Sequence, residues 1–234
     1  MNPIIPQQPI DWDQAVASTE QLFNDDAYCA QEKIDGKKLI IFSDRGNLSG
    51  VSRNGRPMKL SAKTKALMPV QGTFVIEGEQ GNRLTGDTGF VAFDVLAVDG
   101  EDVRHLQYDD RLQMLHGLGV PVIGTKFGEQ GKRRLHAAVL AKGGEGIVFK
   151  RTAARYCPGK TVKQLKLKNW LSDTFRVVTV DGMGIELATL AGTPAGRCPG
   201  YAEKGQLVEI RYQEITEAGK LRCPVLIEVR EDLA

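Results

Sequence analysis

The chain has 234 residues, of which 41% are hydrophobic and 26% charged, enough to bury one large core or a medium and a small one. This composition excludes a wholly disordered protein, and the formal net charge of +2 is too small to identify a class of partner. No apolar window approaches a membrane span and no signal-peptide pattern opens the chain, so we expect a cytoplasmic protein without a membrane partner.

The first half of the chain is predicted to begin with one helix and to continue as strands. Residues 11–24 have the pattern of a short amphipathic helix, in which Trp12, Val16 and Leu22 would face a core. Short apolar or alternating runs separated by Gly, Asp and Asn then predict strands at 29–36, 38–44, 48–55, 73–79 and 89–100.

The second half is predicted to change from helices to strands. Residues 108–118 and 129–142 have helical patterns, and two strands follow at 146–151 and 162–168. From Phe175 onward about 60 residues of short β runs are typical of a small closed barrel of the OB type. The predicted fold class is therefore α+β, with antiparallel sheets flanked by helices in residues 1–170 and an OB-fold barrel in residues 171–234.

Lys33 is the first candidate catalytic residue, in the sequence Lys33-Ile34-Asp35-Gly36 at the end of a predicted strand. A lysine acts as a covalent nucleophile only when its amine is neutral, a form that partial burial and neighbouring cations favour. An Asp-Gly pair after a strand is also a common surface turn, so the tetrapeptide alone does not identify a site.

Five further segments follow Lys33, and their order is more informative than any one of them. They are Val51–Gly55 with Arg53, Phe74–Glu79 with Glu77 and Glu79, Phe90–Asp94 with Phe93, Gly144–Lys150 with Glu145, and Gln164–Lys168 with Lys166 and Lys168. The ordered set resembles the covalent nucleotidyltransferase superfamily, which contains ATP-dependent DNA ligases, RNA ligases and mRNA capping enzymes. With the barrel-like C-terminal part, the chain is most similar to a minimal, two-domain ATP-dependent DNA ligase.

The resemblance implies that Lys33 and Asp35 belong to the catalytic motif and that Lys166 and Lys168 act on the α-phosphate of ATP. The two later lysines alternate with leucines, so both point to one face of their strand. There they would bind the phosphate and, by like-charge repulsion, favour the neutral Lys33 amine. An exposed basic strand face is the alternative explanation.

The resemblance also implies a site for Mg²⁺, or alternatively Mn²⁺, with Glu79 and Glu145 as ligands. Such cations prefer carboxylate oxygens, and Glu145 is the lone acid in a basic stretch. Glu77 and Glu79 would face the same side of a strand, where a metal or a ribose diol would relieve their repulsion. A plain ion pair for Glu145, and simple exposure for the other two, are the alternatives.

Four residues are assigned to the nucleotide by resemblance. Phe93 would stack on adenine, and Gln31, two residues before the nucleophile, would contact the base. Arg53 would bind the ribose and later the nick phosphate, while Lys38 replaces an arginine and so loses bidentate geometry. Without the resemblance, Phe93 would be assigned to the core and Arg53 to a charged turn.

The C-terminal segment, residues 208–232, resembles the last strands of a DNA ligase OB domain. Arg230 and Asp232 match an element that closes over the β- and γ-phosphates of ATP, whereas Leu233 stands where the family has a lysine. Arg222 is expected to touch DNA or pyrophosphate, and a place on the barrel surface is its alternative.

Basic residues dominate the stretch from Lys142 to Trp170, which would attract a polyanion unless it is only a solvated face. They are Lys142, Lys150, Arg151, Arg155, Lys160, Lys163, Lys166 and Lys168. We expect nicked duplex DNA to be the partner, with Arg53, Lys150, Arg151 and Arg222 among its contacts.

The sequence therefore predicts a monomeric, ATP-dependent DNA ligase that joins a 5′-phosphate to a 3′-hydroxyl at a nick through a lysyl-AMP intermediate. Two other classes stay open. An RNA ligase or a GTP-using capping guanylyltransferase shares the lysine chemistry. A non-catalytic nucleic-acid-binding barrel protein would use the basic stretch and the C-terminal strands alone.

Overall fold

A computed structural model describes residues 4–82 and 86–230 of the chain. The chain divides into two compact units, Met1–Leu167 and Lys168–Ala234. In the described ranges, no helix has the length and apolarity needed to cross a bilayer.

The described elements are β1 (Gln7–Asp11), α1 (Thr19–Asn24), β2 (Tyr28–Glu32), β3 (Lys37–Asp44), β4 (Asn47–Ser52), α2 (Ala62–Ala66), β5 (Thr73–Asn82), β6 (Gly86–Val98), β7 (Glu101–Asp102), α3 (Tyr108–Gly117), β8 (Thr125–Lys126), α4 (Gly128–Ala141), β9 (Gly146–Arg151), β10 (Gly159–Lys168), β11 (Leu171–Asp181), β12 (Gly184–Ala188), β13 (Pro194–Cys198), β14 (Leu207–Tyr212), β15 (Glu214–Ile215), β16 (Leu221–Arg222) and β17 (Val225–Val229).

Two five-stranded sheets form the first unit. One has the order β1-β10-β9-β2-β8, and the other has the order β4-β3-β5-β6-β7. Neighbours in the second sheet are antiparallel, as are β2 and its partners β8 and β9. The exception is β1, which runs parallel to β10.

Each sheet of the first unit covers its own apolar core. α3 packs on β6 over a core that includes Leu39, Ile76 and Leu112, while α4 packs on β2 and β9. The second core contains Leu22 and Phe149 and is also covered by α1. Because side chains alternate along a strand, the opposite faces of β2 and β5 are left to carry polar groups.

The second unit is built around a sheet with the order β13-β12-β11-β14-β17, beside the two-stranded pair β15-β16. The neighbouring strands of this sheet are antiparallel. Its core includes Phe175, Ile185, Val208 and Tyr212. The ring of Phe175 meets that of Tyr212 edge to face, with centroids 6.0 Å apart.

The N-terminal segment departs from the predicted helix over residues 11–24. Asp11 is the last residue of β1, Trp12–Gln14 form a single 3-10 turn, and only Thr19–Asn24 are α-helical. The strand exists because β1 pairs with β10, far away in the chain, and a local hydrophobic pattern does not contain that pairing.

The short helix α2 was also absent from the sequence prediction. Its N-cap is Ser61, whose hydroxyl oxygen accepts a hydrogen bond from the Thr64 amide at 3.0 Å. By contrast, α3 and α4 lie within one residue of the helices predicted at 108–118 and 129–142.

Candidate active site

Lys33 directly follows β2, and Glu145 directly precedes β9. The two strands are antiparallel, and their register pairs Glu32 with Ile147. The Lys33 amide donates to the Gly146 carbonyl at 2.9 Å, which extends the pairing to the two functional residues. As a result the Lys33 Nζ lies 2.6 Å from Glu145 Oε1, and the side chains are 21% and 9% exposed.

The loop after Lys33 requires glycine at position 36. A Cβ at Gly36 would lie 2.3 Å from the Gly81 carbonyl oxygen, which is backbone and cannot move aside cheaply. This close approach brings the segment Lys33–Gly36 against the end of β5, the strand that carries Glu77 and Glu79.

The second sheet contributes a buried ion pair. Lys38 Nζ lies 2.5 Å from Glu77 Oε1, and the Glu77 side chain is only 1% exposed. The Tyr156 hydroxyl donates to the other Glu77 oxygen at 2.8 Å, and Lys38 also donates to the Gln7 carbonyl. Each Glu77 oxygen therefore has a protein partner, Lys38 in an ion pair and Tyr156 in a hydrogen bond. That Glu77 shares a ligand with Glu79 stays a prediction.

Glu79 is the carboxylate left over. Its Oε2 atom is buried and accepts no hydrogen bond from the described residues. Burial raises the pKa of Glu79 to about 7, although Lys38 and Lys33 act to lower it, while Glu77 and Glu145 add to the rise. Residues from both sheets of the first unit thus act on one carboxylate that forms no ion pair with another residue in the described part of the chain.

A divalent cation fits this arrangement. An orphaned, buried carboxylate oxygen near a second carboxylate is stabilised by a hard cation. Within residues 4–82 and 86–230, no three His, Cys, Asp or Glu side chains are grouped as metal ligands. Mg²⁺ is usually held by one or two carboxylates together with substrate phosphates, so Glu79 and Glu145 would be a large enough set of protein ligands for it.

Phe93, a half-buried residue of β6, has two cations against its ring. Lys150 Nζ lies 4.4 Å and Lys38 Nζ 5.2 Å from the ring centroid. The next residue, Asp94, forms a buried bidentate pair with Arg111 of α3, with N–O distances of 2.8 and 3.0 Å. This pair anchors β6 to α3 and so fixes the backbone that carries Phe93.

Gln31 is a buried residue of β2 and lies two residues before Lys33 in the chain. Its Nε2 donates to the Tyr108 hydroxyl at 2.7 Å and to the Thr125 hydroxyl at 2.8 Å. The Tyr108 hydroxyl in turn donates to the Phe93 carbonyl at 2.9 Å. Gln31 and Phe93 are therefore joined by one hydrogen-bonded chain.

Lys150 is not placed to contact DNA, which corrects the sequence prediction. It is 4% exposed, and its amine donates to the Phe93 carbonyl at 3.1 Å and to the Tyr108 hydroxyl at 3.4 Å. Burial lowers its pKa to about 8, against the opposing effect of Asp94. Arg151, the next residue, is exposed at the end of β9.

The two lysines of β10 lie on one face of the strand, while Leu165 and Leu167 contact the core covered by α1 and α4. Lys166 Nζ lies 3.3 Å from Asp11 Oδ2 of the paired strand β1. Lys168 belongs to the second unit, where its amine lies 5.1 Å from the ring of Trp170. Both lysines thus have local partners that the sequence did not indicate.

The remaining predicted site residues lie on turns and on the second unit. Arg53 is exposed in the turn after β4, and Asp35 is half-buried in the loop after Lys33. Arg222 pairs with Glu214 at 3.1 Å, and Arg230 with Glu209 at 3.3 Å. Asp232 and Leu233 lie outside the described residues.

Sequence reasoning missed the residues that orient the site rather than supply its charge. They are Gln7, Asp11, Tyr108, Arg111, Thr125 and Tyr156. Their roles depend on contacts between strands and helices that are distant in sequence, for which a single chain carries no local signal.

Comparison with known proteins gives one family and one fold. A family model described as RNA ligase matches residues 26–168, more than half of the chain. A search of curated proteins finds no match.

Solved structures match nearly the whole chain. A structure from a study of Lig E DNA ligases, described as DNA binding with a minimal scaffold, has a TM-score of 0.72 at 20% identity and covers 96% of this chain and 98% of its own. The ligase domain of LigD from M. tuberculosis has a TM-score of 0.59 at 22% identity, covering 98% and 95%. A mycobacterial DNA ligase D complexed with ATP and MES has a TM-score of 0.57 at 20% identity, covering 98% and 95%. At these identities the likeness shows the fold, and the predicted fold class is confirmed.

Proposed function

The chain belongs to the RNA ligase family, and from this premise we propose that it is an ATP-dependent ligase that seals nicks in duplex DNA. The observation that carries the proposal is the Lys33 amine, paired at 2.6 Å with Glu145 beside the orphaned carboxylate of Glu79. Nucleic-acid binding alone does not require a half-buried lysine paired with one carboxylate and close to a second, whereas nucleotidyl transfer to an amine does.

In the first step, Lys33 Nζ attacks the α-phosphorus of ATP. A nitrogen–phosphorus bond forms, the bond to the β-phosphate oxygen breaks, and pyrophosphate leaves with the bonding electrons. The ammonium must first release a proton to solvent, because only the neutral amine has a lone pair, and the nitrogen releases a second proton to solvent as the nitrogen–phosphorus bond forms. Glu145 holds the nitrogen by a short hydrogen bond and so fixes its position before ATP binds.

Glu79 and Glu145 would hold the divalent cation, Mg²⁺ or Mn²⁺, which neutralises charge on the phosphates when it is bound. Phe93 would stack on the adenine, with Lys150 and Lys38 against its ring. Lys38 and Lys166 supply positive charge for the phosphates, Lys166 after it leaves Asp11.

The two later steps move AMP and then release it. The 5′-phosphate oxygen at the nick attacks the lysine-bound phosphorus, the nitrogen–phosphorus bond breaks, and the amine regains a proton. The 3′-hydroxyl then attacks the adenylated 5′-phosphate, AMP leaves, and the hydroxyl proton passes to solvent. Lys168 and Arg230 would contribute to the nucleotide phosphates in this scheme, as the sequence resemblance implies.

Duplex DNA is proposed as the substrate because the fold neighbours that extend over the whole chain, second unit included, are DNA ligases. Arg53, Arg151 and Arg222 are the proposed contacts to its backbone. ATP is proposed because one neighbour was solved with ATP.

An RNA ligase is the second candidate, and the description of the matching family favours it. The two candidates share the chemistry at Lys33 and differ in the nick they accept. A capping guanylyltransferase would instead be labelled by GTP.

Sealing assays on the full-length chain test the proposal. With ATP and Mg²⁺, we expect the wild type to seal a nicked DNA duplex, and Lys33→Ala to be slower by roughly 10³-fold or more. Lys37→Ala is the matched control, since Lys37 is a nearby but exposed lysine of β3. A Lys33→Ala variant that seals at the wild-type rate would contradict the mechanism. A wild type that seals only nicked RNA would favour the second candidate.

A further inference from the structure

The amide of Gln31 has a fixed orientation. Gln31 is 1% exposed, and both of its printed hydrogen bonds are donated by Nε2, to Tyr108 and to Thr125. Its Oε1 accepts no hydrogen bond from the described residues. With its nitrogen engaged by two hydroxyls, the amide presents its oxygen as the end that can accept from a ligand.

The donors and acceptors around the amide admit one arrangement. The Phe93 carbonyl can only accept, so the single proton of the Tyr108 hydroxyl is committed to it at 2.9 Å. Tyr108 can therefore only accept from Gln31, and it must meet the NH₂ group. The Thr125 hydroxyl donates its proton to the Ile123 carbonyl at 3.4 Å, so its oxygen is left to accept from Gln31.

Lys150 reinforces this chain of hydrogen bonds. Its amine donates to both the Phe93 carbonyl and the Tyr108 hydroxyl, at 3.1 and 3.4 Å. Because the Lys150 amine can only donate, the Tyr108 oxygen acts as an acceptor toward it, as it does toward Gln31, and its one proton stays with the Phe93 carbonyl. The role of Lys150 is thus inside the site, as a support for Tyr108.

We propose that Tyr108 and Thr125 are positioning residues that select adenine over guanine by turning the Gln31 oxygen toward the base. Gln31 and Lys33 lie two apart and so face the same side of the strand. An oxygen there accepts from the exocyclic amino group of adenine and repels the carbonyl oxygen that guanine has in its place. The inference rests on the proposed function, because it requires a nucleotide bound at Lys33.

Covalent labelling of the full-length chain with radioactive ATP or GTP and Mg²⁺ tests the inference. We expect the wild type to prefer ATP. In Tyr108→Phe and Thr125→Val the amide loses one acceptor and is free to turn, so the ratio of ATP to GTP labelling rates falls roughly 5- to 100-fold. We expect this ratio to fall because the rate of GTP labelling rises, in addition to any decrease in the rate of ATP labelling.

Two further variants separate positioning from damage. In the double variant Gln31→Glu/Tyr108→Phe a carboxylate presents an oxygen in either orientation, so the preference for ATP returns. Tyr212→Phe is the matched control, because it removes a hydroxyl that bonds Asp173 in the core of the second unit. Its labelling ratio should equal that of the wild type.

The outcomes separate this inference from the proposed function. Labelling at Lys33 with an unchanged ratio in Tyr108→Phe and Thr125→Val, or with an equal loss for both nucleotides, overturns the inference and leaves the function standing. A wild type labelled preferentially by GTP overturns the inference together with the ATP dependence of the proposed function, and favours a capping guanylyltransferase. No labelling of the wild type by either nucleotide overturns both.

Discussion

At the scale of single residues, the site is a set of charge pairs with one member left over. Lys33 pairs with Glu145 and Lys38 with Glu77, while one buried oxygen of Glu79 has no hydrogen bond from the described residues. The contact between Lys33 and Glu145 is expected both if Glu145 is a metal ligand of the site and if it is only an ion-pair partner. Glu79 is the buried carboxylate whose negative charge is least compensated, and this lack of compensation should lower the free energy of unfolding at neutral and higher pH.

Glu79→Gln should stabilise the chain and impair adenylation. The folded-state pKa of Glu79 is about 7, above its ordinary value of 4.5, so the folded state holds an extra proton between those values. The stability linked to this proton is present below pH 4.5 and is lost as pH rises to 7. At pH 8 the isosteric amide therefore gains up to about 3 kcal/mol over wild type. Urea unfolding without divalent metal measures the gain, and equal stabilities at pH 8 would contradict it.

Lys150 gives a second pH dependence, of the opposite direction. Its folded-state pKa is about 8, below its ordinary value of 10.5, so the unfolded chain binds more protons between those values. The stability of the wild type relative to Lys150→Met should therefore rise as pH increases from 8 to 10.5, by up to about 3 kcal/mol. Paired urea unfolding curves at pH 7.5 and 10 measure this, and a pH-independent difference would argue against a buried ammonium.

The contrast between Lys150 and Glu145 shows how far residue-level reasoning reaches. Glu145 was singled out because it is the lone acid in a basic stretch, and it does face Lys33. Lys150 was assigned to DNA because it belongs to the basic stretch from Lys142 to Trp170. Its partners are a carbonyl and two rings from β6 and α3, which come near it only through the tertiary fold.

At the scale of elements, β5 and β6 carry Glu77, Glu79 and Phe93, and a glycine allows the two strands to approach. A Cβ at Gly78 would lie 2.2 Å from the Val91 carbonyl oxygen and 2.4 Å from Phe90 Cζ. Phe90 is itself 2% exposed in the core under α3, so its ring has little room to move.

Gly78→Ala should therefore destabilise the chain by about 2–4 kcal/mol, because overpacking forces a backbone or core shift beside the site. Gly117→Ala is the matched control. Gly117 ends α3 with no heavy atom near an added Cβ, so alanine there should be neutral or stabilising by up to about 1 kcal/mol. Chemical unfolding of both variants checks the pair, and equal effects would contradict the packing argument.

Elements with strong local sequence patterns were predicted correctly, whereas strands that form through pairing with a distant part of the chain were not. α3 and α4 were predicted within one residue, whereas β1 was not predicted and its last residue, Asp11, was placed at the start of a helix. The strand β13 has no strand pattern of its own, because Pro194–Cys198 contains Pro and Gly, which are uncommon in strands. Its pairing with β12 is what makes it a strand.

At the scale of the whole molecule, the net charge of +2 gives little attraction for DNA, so binding must depend on local cations. Arg53 and Arg151 are exposed, whereas Lys150 is buried. This difference separates the proposed phosphate contacts from a lysine that bonds other groups inside the first unit.

The salt dependence of binding to nicked DNA should divide these residues. Arg53→Gln and Arg151→Gln should each lower the slope of log affinity against log salt by about 1, as expected for one lost phosphate contact. Lys150→Met should leave the slope unchanged, as should the control Arg133→Gln, which replaces a half-exposed arginine already paired with Glu129. A slope reduced by Lys150→Met would restore the sequence-based assignment of that residue.

The family assignment and the fold class were within reach of the sequence because ordered motifs survive where overall identity to solved relatives is near 20%. The orientation of the site was not, since it depends on Tyr108, Thr125 and Tyr156, whose hydroxyls act through tertiary contacts.

Peptide mass spectrometry of the full-length chain after incubation with ATP and Mg²⁺ tests the central claim most directly. We expect one AMP group bound through the nitrogen of Lys33, lost on treatment with pyrophosphate and absent in Lys33→Ala. An AMP group on another residue, or none on a folded chain, would contradict the assignment of Lys33 as the nucleophile.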